Sequence, residues 1–159
     1  MCIRDRVYFI ILMFIGGCAG STTCGIKIFR VQILYQFISN QLKKIIYPRG
    51  IFKIKYQNNN VDEKFMDSII SFIFLYILIF FVVTALLSLD GLNFITAISA
   101  AATSISNVGP GLGDIIGPNG SFSSLSDFSK WVLSAAMILG RLELFAILVL
   151  FIPSFWRKY

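Results

Sequence analysis

Residues Ser68–Leu89 form an uninterrupted run of 22 residues without a charge, held between Asp67 and Asp90. As a helix this run reaches roughly 33 Å, enough to cross a hydrocarbon core of about 30 Å. A helix buried in a soluble core is usually shorter. The composition points the same way: 57% of the 159 residues are hydrophobic and 14% are charged, against about 45–50% and about 25% in soluble domains. A water-soluble fold of this size could not hide sixteen Phe residues. The chain is therefore expected to be an integral membrane protein with helical spans, and disorder and fibrous repeats are excluded.

A second span is predicted over Trp131–Trp156, with Trp at each end as an interfacial anchor and Pro153, Arg157 and Lys158 closing it. Arg141 and Glu143 lie in its middle, where charge is costly and therefore calls for a role. The N-terminal part differs. Val7–Phe14 is apolar, but Gly16-Gly17-Cys18-Ala19-Gly20-Ser21-Thr22-Thr23-Cys24-Gly25 interrupts it before the apolar pattern resumes from Ile26 to about Ile38, with Lys27 and Arg30 inserted. This is the pattern of a span broken in its middle. Irregular backbone at membrane depth survives only inside protein or along a water-filled path.

Residues 91–117 give a fourth membrane-associated piece. Asn93–Ser104 is about 18 Å long as a helix, half a membrane. The sequence that follows, Ser106-Asn107-Val108-Gly109-Pro110-Gly111-Leu112-Gly113, cannot continue a helix. A half-length helix with a glycine-rich return has the form of a re-entrant pore loop. Its physics suits a cation: a helix C-terminus presents the negative end of its dipole and unpaired carbonyls. Carbonyls of Asn107–Gly111 turned inward would replace an ion's hydration shell, and Gly109 and Gly111 permit the backbone angles this needs. The competing account is an ordinary glycine–proline turn.

Charge sets the expected orientation. The connection from Gln41 to Lys64 holds six bases against Asp62 and Glu63, whereas Asp90–Lys130 holds three acids and one base. The positive-inside rule places the first connection and Arg157-Lys158 in the cytoplasm, with the pore loop entering from outside. The net charge of +6 is then a topology signal rather than a nucleic-acid patch. Arg4 and Arg6 fall on the outer side against this rule, so residues 1–6 are expected to be a non-native leader on a truncated piece.

Several chemistries are disfavoured. The chain has no His and three Cys (Cys2, Cys18, Cys24) without a C-x-x-C pair, which argues against zinc, iron–sulfur and disulfide frameworks. The commonest general base is missing, so no enzyme is expected. Gly109-Pro110-Gly111-Leu112-Gly113 is not G-x-G-x-x-G, and Gly20–Lys27 has Ile where a phosphate-binding loop needs Lys. Cys18 and Cys24 fit small packing positions better than redox sensors. The aromatic run Phe72, Phe74, Tyr76, Phe80 and Phe81 fits a lipid-facing and packing surface rather than a ligand box.

Three ordered blocks, Gly16–Lys27, Ile105–Gly113 and Met137–Phe145 (M-I-L-G-R-L-E-L-F), together resemble the membrane subunit of the Trk/Ktr potassium-uptake family over essentially the whole chain after Arg6. Members carry four span–pore-helix–span repeats in one chain around a single pore. The resemblance implies an all-α integral membrane fold. The last of four pseudo-repeats (residues 67–159; span 68–89, pore helix 93–104, filter 105–113, span 131–156) would follow the broken second span of the third repeat (7–39, intramembrane loop 16–25). A basic cytoplasmic connection (40–66) would join them.

The same resemblance assigns the site residues. Ser106, Asn107, Val108, Gly109, Pro110 and Gly111 would form the selectivity filter, with K⁺ at Asn107, Val108 and Gly109. Gly16 to Gly25 would be the gating loop beneath it, and Arg141 a pore-facing charge. Glu143 has no assigned role; it lies about 200° round the helix from Arg141, so the two do not pair on one face.

No covalently bound cofactor is implied. K⁺ is the transported ion, and coupling to H⁺ or Na⁺ stays open. The implied partners are the missing N-terminal repeats, a second copy in a homodimer, membrane lipid and a cytosolic regulatory subunit binding NAD or ATP, in a bacterial inner membrane.

Alternatives stay open. Gly16-x-x-x-Gly20 is also a close helix-packing motif, and Arg141 is also placed to anchor neighbouring carbonyls. The whole chain also fits a stand-alone two-span subunit that tetramerises, or a non-conducting membrane scaffold.

Overall fold

Among the described residues, the uncharged run lies in the longest helix and reaches its C-terminal end. The computed structural model describes residues 3–17, 24–47, 50, 55–56, 59–60, 63–113 and 115–142. In it α3 runs from Glu63 to Leu89. Among the described residues, α3 is the one helix long and apolar enough to cross a membrane. Its face carrying Met66, Ile69, Phe72, Tyr76, Val83 and Leu87 is buried, spacings of three, four and seven that keep these side chains on one stripe. The aromatic run divides accordingly: Phe72 and Tyr76 pack in the core, whereas Phe74 and Phe81 stay exposed.

Helix α1 (Ile3–Phe14) precedes α2 (Ile28–Ile46). Between them Ile15 and Ile26 form a parallel bridge. The Gly16 N–H donates to the Ile26 carbonyl at 3.0 Å and the Ile26 N–H to the Phe14 carbonyl at 3.2 Å. Helix α2 lies on α3 through Ile33, Met66 and Ile69. The Arg30 guanidinium stacks 3.8 Å from the centroid of the Phe72 ring, which offsets part of the cost of a charge in an apolar stretch.

Helix α4 (Phe94–Ser106) is short and enclosed by α1, α3 and α5. Ala97, Ala100, Ala101, Ala102 and Ile105 are fully buried, and small side chains let neighbouring backbones approach closely. Helix α5 (Asp127–Arg141) follows a single 3-10 turn at Phe122–Ser124. Its start is fixed by Ser126, whose hydroxyl accepts from the Ser129 N–H at 3.1 Å.

The element ends depart from expectation. Helix α2 continues to Ile46, into the predicted 40–66 connection. No helix breaker precedes Pro48 there, and Lys43 and Lys44 in the last turn suit the helix dipole. Helix α3 begins at Glu63 rather than near residue 67. Helix α4 runs two residues past Ser104. The connection also holds a two-residue antiparallel pair, β1 (Lys55–Tyr56) with β2 (Asn59–Asn60), where no strand was expected. Helix α5 begins four residues before Trp131 and is capped at Leu142, where φ −90° and ψ 19° leave the helix. The rest of the predicted span 131–156, with Glu143, lies outside the described residues.

Candidate functional site

At the C-terminus of α4, Asn107 adopts the left-handed conformation (φ 51°, ψ 43°) that reverses the chain after a helix. Among the described residues it is the one non-glycine with positive φ; Asn tolerates that region better than most. Gly109 follows at φ 116°, a region that side chains rarely enter. The segment 107–110 is exposed, while Gly111 and Leu112 turn back into the protein.

This reversal is held on every side. The Val108 N–H donates to the Thr103 carbonyl at 3.0 Å and the Gly109 N–H to Thr103 Oγ1 at 3.0 Å. Asn107 Nδ2 donates to the Met137 carbonyl on α5 at 3.0 Å. Farther along, the Gly111 N–H donates to the Ile116 carbonyl at 2.8 Å. The buried Ser99 hydroxyl donates to the Leu112 carbonyl at 2.8 Å and accepts from its N–H at 3.0 Å. Ser106, expected in the filter, is the last residue of α4, and its hydroxyl shares a 2.8 Å hydrogen bond with Tyr76 of α3. Among the described residues, no hydrogen bond uses the carbonyls of Asn107, Val108, Gly109 or Pro110. Exposed carbonyls on a fixed turn are what cation coordination needs.

Of the expected gating block, Gly16, Gly17, Cys24 and Gly25 are described; Cys18, Ala19, Gly20, Ser21, Thr22 and Thr23 lie outside the described residues. The described part is a tight neck. A Cβ on Gly16 would stand 2.9 Å from the Cys24 carbonyl oxygen, and Gly25 takes φ 90°. Gly16 is therefore small because its own chain returns against it. Arg141 reaches this neck from α5, with Nη1 3.8 Å from Cys24 Sγ.

One turn of α5 thus touches three parts of the arrangement. Met137 holds Asn107, Gly140 packs its backbone directly against the Ile105 carbonyl, and Arg141 meets Cys24. Phe14, at the end of α1, sets its ring edge-on to Tyr76 and Phe80, with centroids 6.2 and 5.1 Å away. The residues doing the holding, Ser99, Thr103, Tyr76 and Met137, lie in segments that the sequence marked, but it gave none of them this individual role; each is an ordinary apolar or hydroxyl-bearing residue inside a helix.

The family model for TrkH, described as a cation transport protein, matches residues 5–158. The chain is 44% identical over 152 residues to the Trk system potassium uptake protein TrkI of Halomonas elongata, covering 96% of this chain and 31% of the relative. It is 37% identical to the Trk system potassium uptake protein TrkH of Escherichia coli, covering 91% of this chain and 29% of that protein. The crystal structure of the potassium transporter TrkH from Vibrio parahaemolyticus superimposes with a TM-score of 0.84 at 36% identity, covering 95% of this chain and 32% of the other. The chain spans about a third of the length of these relatives.

Proposed function

This chain belongs to the TrkH family of cation transport proteins, membrane proteins rather than enzymes, and from that premise we propose that it forms part of a pathway conducting K⁺ across a membrane. The carbonyls of Asn107–Gly111 act as a selectivity filter beyond the dipole end of α4. The glycine block 16–25 gates the path below, with Arg141 beside it as the pore-facing charge. In this reading α3, α4, the loop and α5 are one span–pore-helix–filter–span repeat, the last of four in a single longer chain, and α1–loop–α2 is the broken second span of the third.

The carrying observation is the exposed 107–110 turn, whose N–H groups at Val108 and Gly109 are tied back to Thr103. An ordinary solvent turn has no need of a buried, half-length helix at its root. The potassium-uptake names of the relatives support K⁺ as the ion. The longer chain works as a homodimer in lipid of a bacterial inner membrane, with the basic 40–66 connection on the cytoplasmic side near a nucleotide-binding regulatory subunit.

The test is Gly109→Ser in the full-length transport subunit carrying this segment. A Cβ at Gly109 meets nothing within 4 Å, so packing survives, while φ 116° becomes strained by about 1–2 kcal/mol. The K⁺-over-Na⁺ flux ratio should fall in reconstituted vesicles. An unchanged ratio rules out the filter.

A further inference from the structure

Thr103 sits on the last turn of α4, 1% exposed, and makes two different hydrogen bonds to the turn beyond. Its carbonyl accepts the Val108 N–H, a six-to-one closure that any residue at this position supplies through its backbone. Its hydroxyl oxygen accepts the Gly109 N–H, and that acceptor comes from the side chain, so an apolar residue at this position does not supply it. The two bonds act on consecutive peptide planes. Each plane is rigid, and in a trans peptide the carbonyl of one residue points opposite the N–H of the next; no cis peptide occurs among the described residues. Fixing the Val108 N–H toward α4 therefore turns the Asn107 carbonyl away from α4, and fixing the Gly109 N–H does the same for the Val108 carbonyl.

We propose that Thr103 is a specificity-determining positioning residue: through its hydroxyl it sets the direction of the Val108 carbonyl, and so the geometry offered to the ion. The proposal rests on reading 106–111 as the filter. Gly109 carries no side chain and takes φ 116°, so nothing of its own restrains the peptide that precedes it. Asn107 is anchored separately, through Nδ2 to Met137, which leaves the Val108–Gly109 plane dependent on Thr103 alone among the described residues. Because the segment is exposed, a Gly109 N–H released from Thr103 finds water. The loss then falls on carbonyl direction and not on folding.

The experiment compares Thr103→Val, which keeps the shape and removes the acceptor, with Thr103→Ser, which keeps the acceptor, in the full-length subunit reconstituted in vesicles. Loss of one such hydrogen bond should lower the K⁺-over-Na⁺ flux ratio about fivefold in Thr103→Val, with Thr103→Ser within about twofold of the parent. Where Thr103→Val does not accumulate in the membrane, Thr103→Ala is measured in its place and carries the same expectation. A parental ratio in the variants without the acceptor, alongside a lowered ratio in Gly109→Ser, overturns the role of Thr103 and leaves the filter standing. A parental ratio in all of them removes the filter as well. A Thr103→Ser ratio as low as that of Thr103→Val also overturns the proposal, because the hydroxyl is then not what matters.

Discussion

Gly140 and Gly109 are both glycines near the turn, for opposite reasons. At Gly140 a Cβ would collide with the Ile105 carbonyl oxygen across the α4–α5 contact, so close packing demands the missing side chain. At Gly109 the space is open and the backbone angle makes the demand. Gly140→Ala should therefore destabilise the full-length protein by about 1–3 kcal/mol, the usual cost of overpacking a tight contact. A lower thermal midpoint in detergent checks this, and an unchanged midpoint would mean that α4 and α5 separate easily. Gly109→Ser should cost less stability and alter selectivity. Met137 contributes a backbone carbonyl to Asn107, so most side chains of similar size should serve there.

Between elements, the C-terminal end of α3 and the N-terminal end of α5 are joined by a carboxylate. Asp90 Oδ2 accepts from the Ser126 hydroxyl and, at 2.6 Å, from the Ser129 hydroxyl; Ser126 meanwhile caps α5. The charged neighbours on α5, Lys130 and Asp127, pair with each other at 3.1 Å. Hydrogen bonds from Ser126, then Ser129, hold the Asp90 carboxyl below the ordinary carboxylate range. A depressed folded pKa gives stability that is present above the unfolded value of about 3.9 and is lost as pH falls through the lower folded value. The thermal midpoint of the parent should accordingly drop on acidification from pH 5 to pH 3 by more than that of Asp90→Asn. Parallel slopes would show that this clamp contributes no pH-dependent stability. Asp90 is solvent-exposed, so the effect is small.

For the whole molecule, the decisive question is what the neck formed by Gly16, Cys24 and Gly25 controls. Arg141 meets it from a helix that also holds the turn at Asn107, so the proposed gate and filter share one turn of α5. Shortening the block between Gly17 and Gly25 in the full-length subunit should raise K⁺ flux while leaving the K⁺-over-Na⁺ ratio near the parental value. Unaltered flux would leave the neck a packing device. The buried α4 surrounded by α1, α3 and α5 gives the turn a rigid root, which a filter requires because selectivity depends on holding carbonyls in place.

Much of the architecture was readable along the chain because its signals are local. Twenty-two uncharged residues between Asp67 and Asp90 are long and apolar enough to cross a membrane, a property of the run itself. The glycine-rich stretches 16–25 and 109–113 disfavour helix through backbone freedom, a property of each residue in place. The small-residue run Asn93–Ser104 likewise marked a short helix. What only the tertiary structure decided are pairings across sequence distance. Tyr76 meets Ser106 and Asn107 meets Met137 thirty positions away, and Arg141 meets Cys24 across 117. Helical period says which residues share a face, but not which partner that face meets or at what register. Thr103 shows the difference most clearly. Its hydroxyl finds the Gly109 N–H only once Asn107 has turned the chain back; the sequence marked a return there, but not the geometry that brings these two groups together.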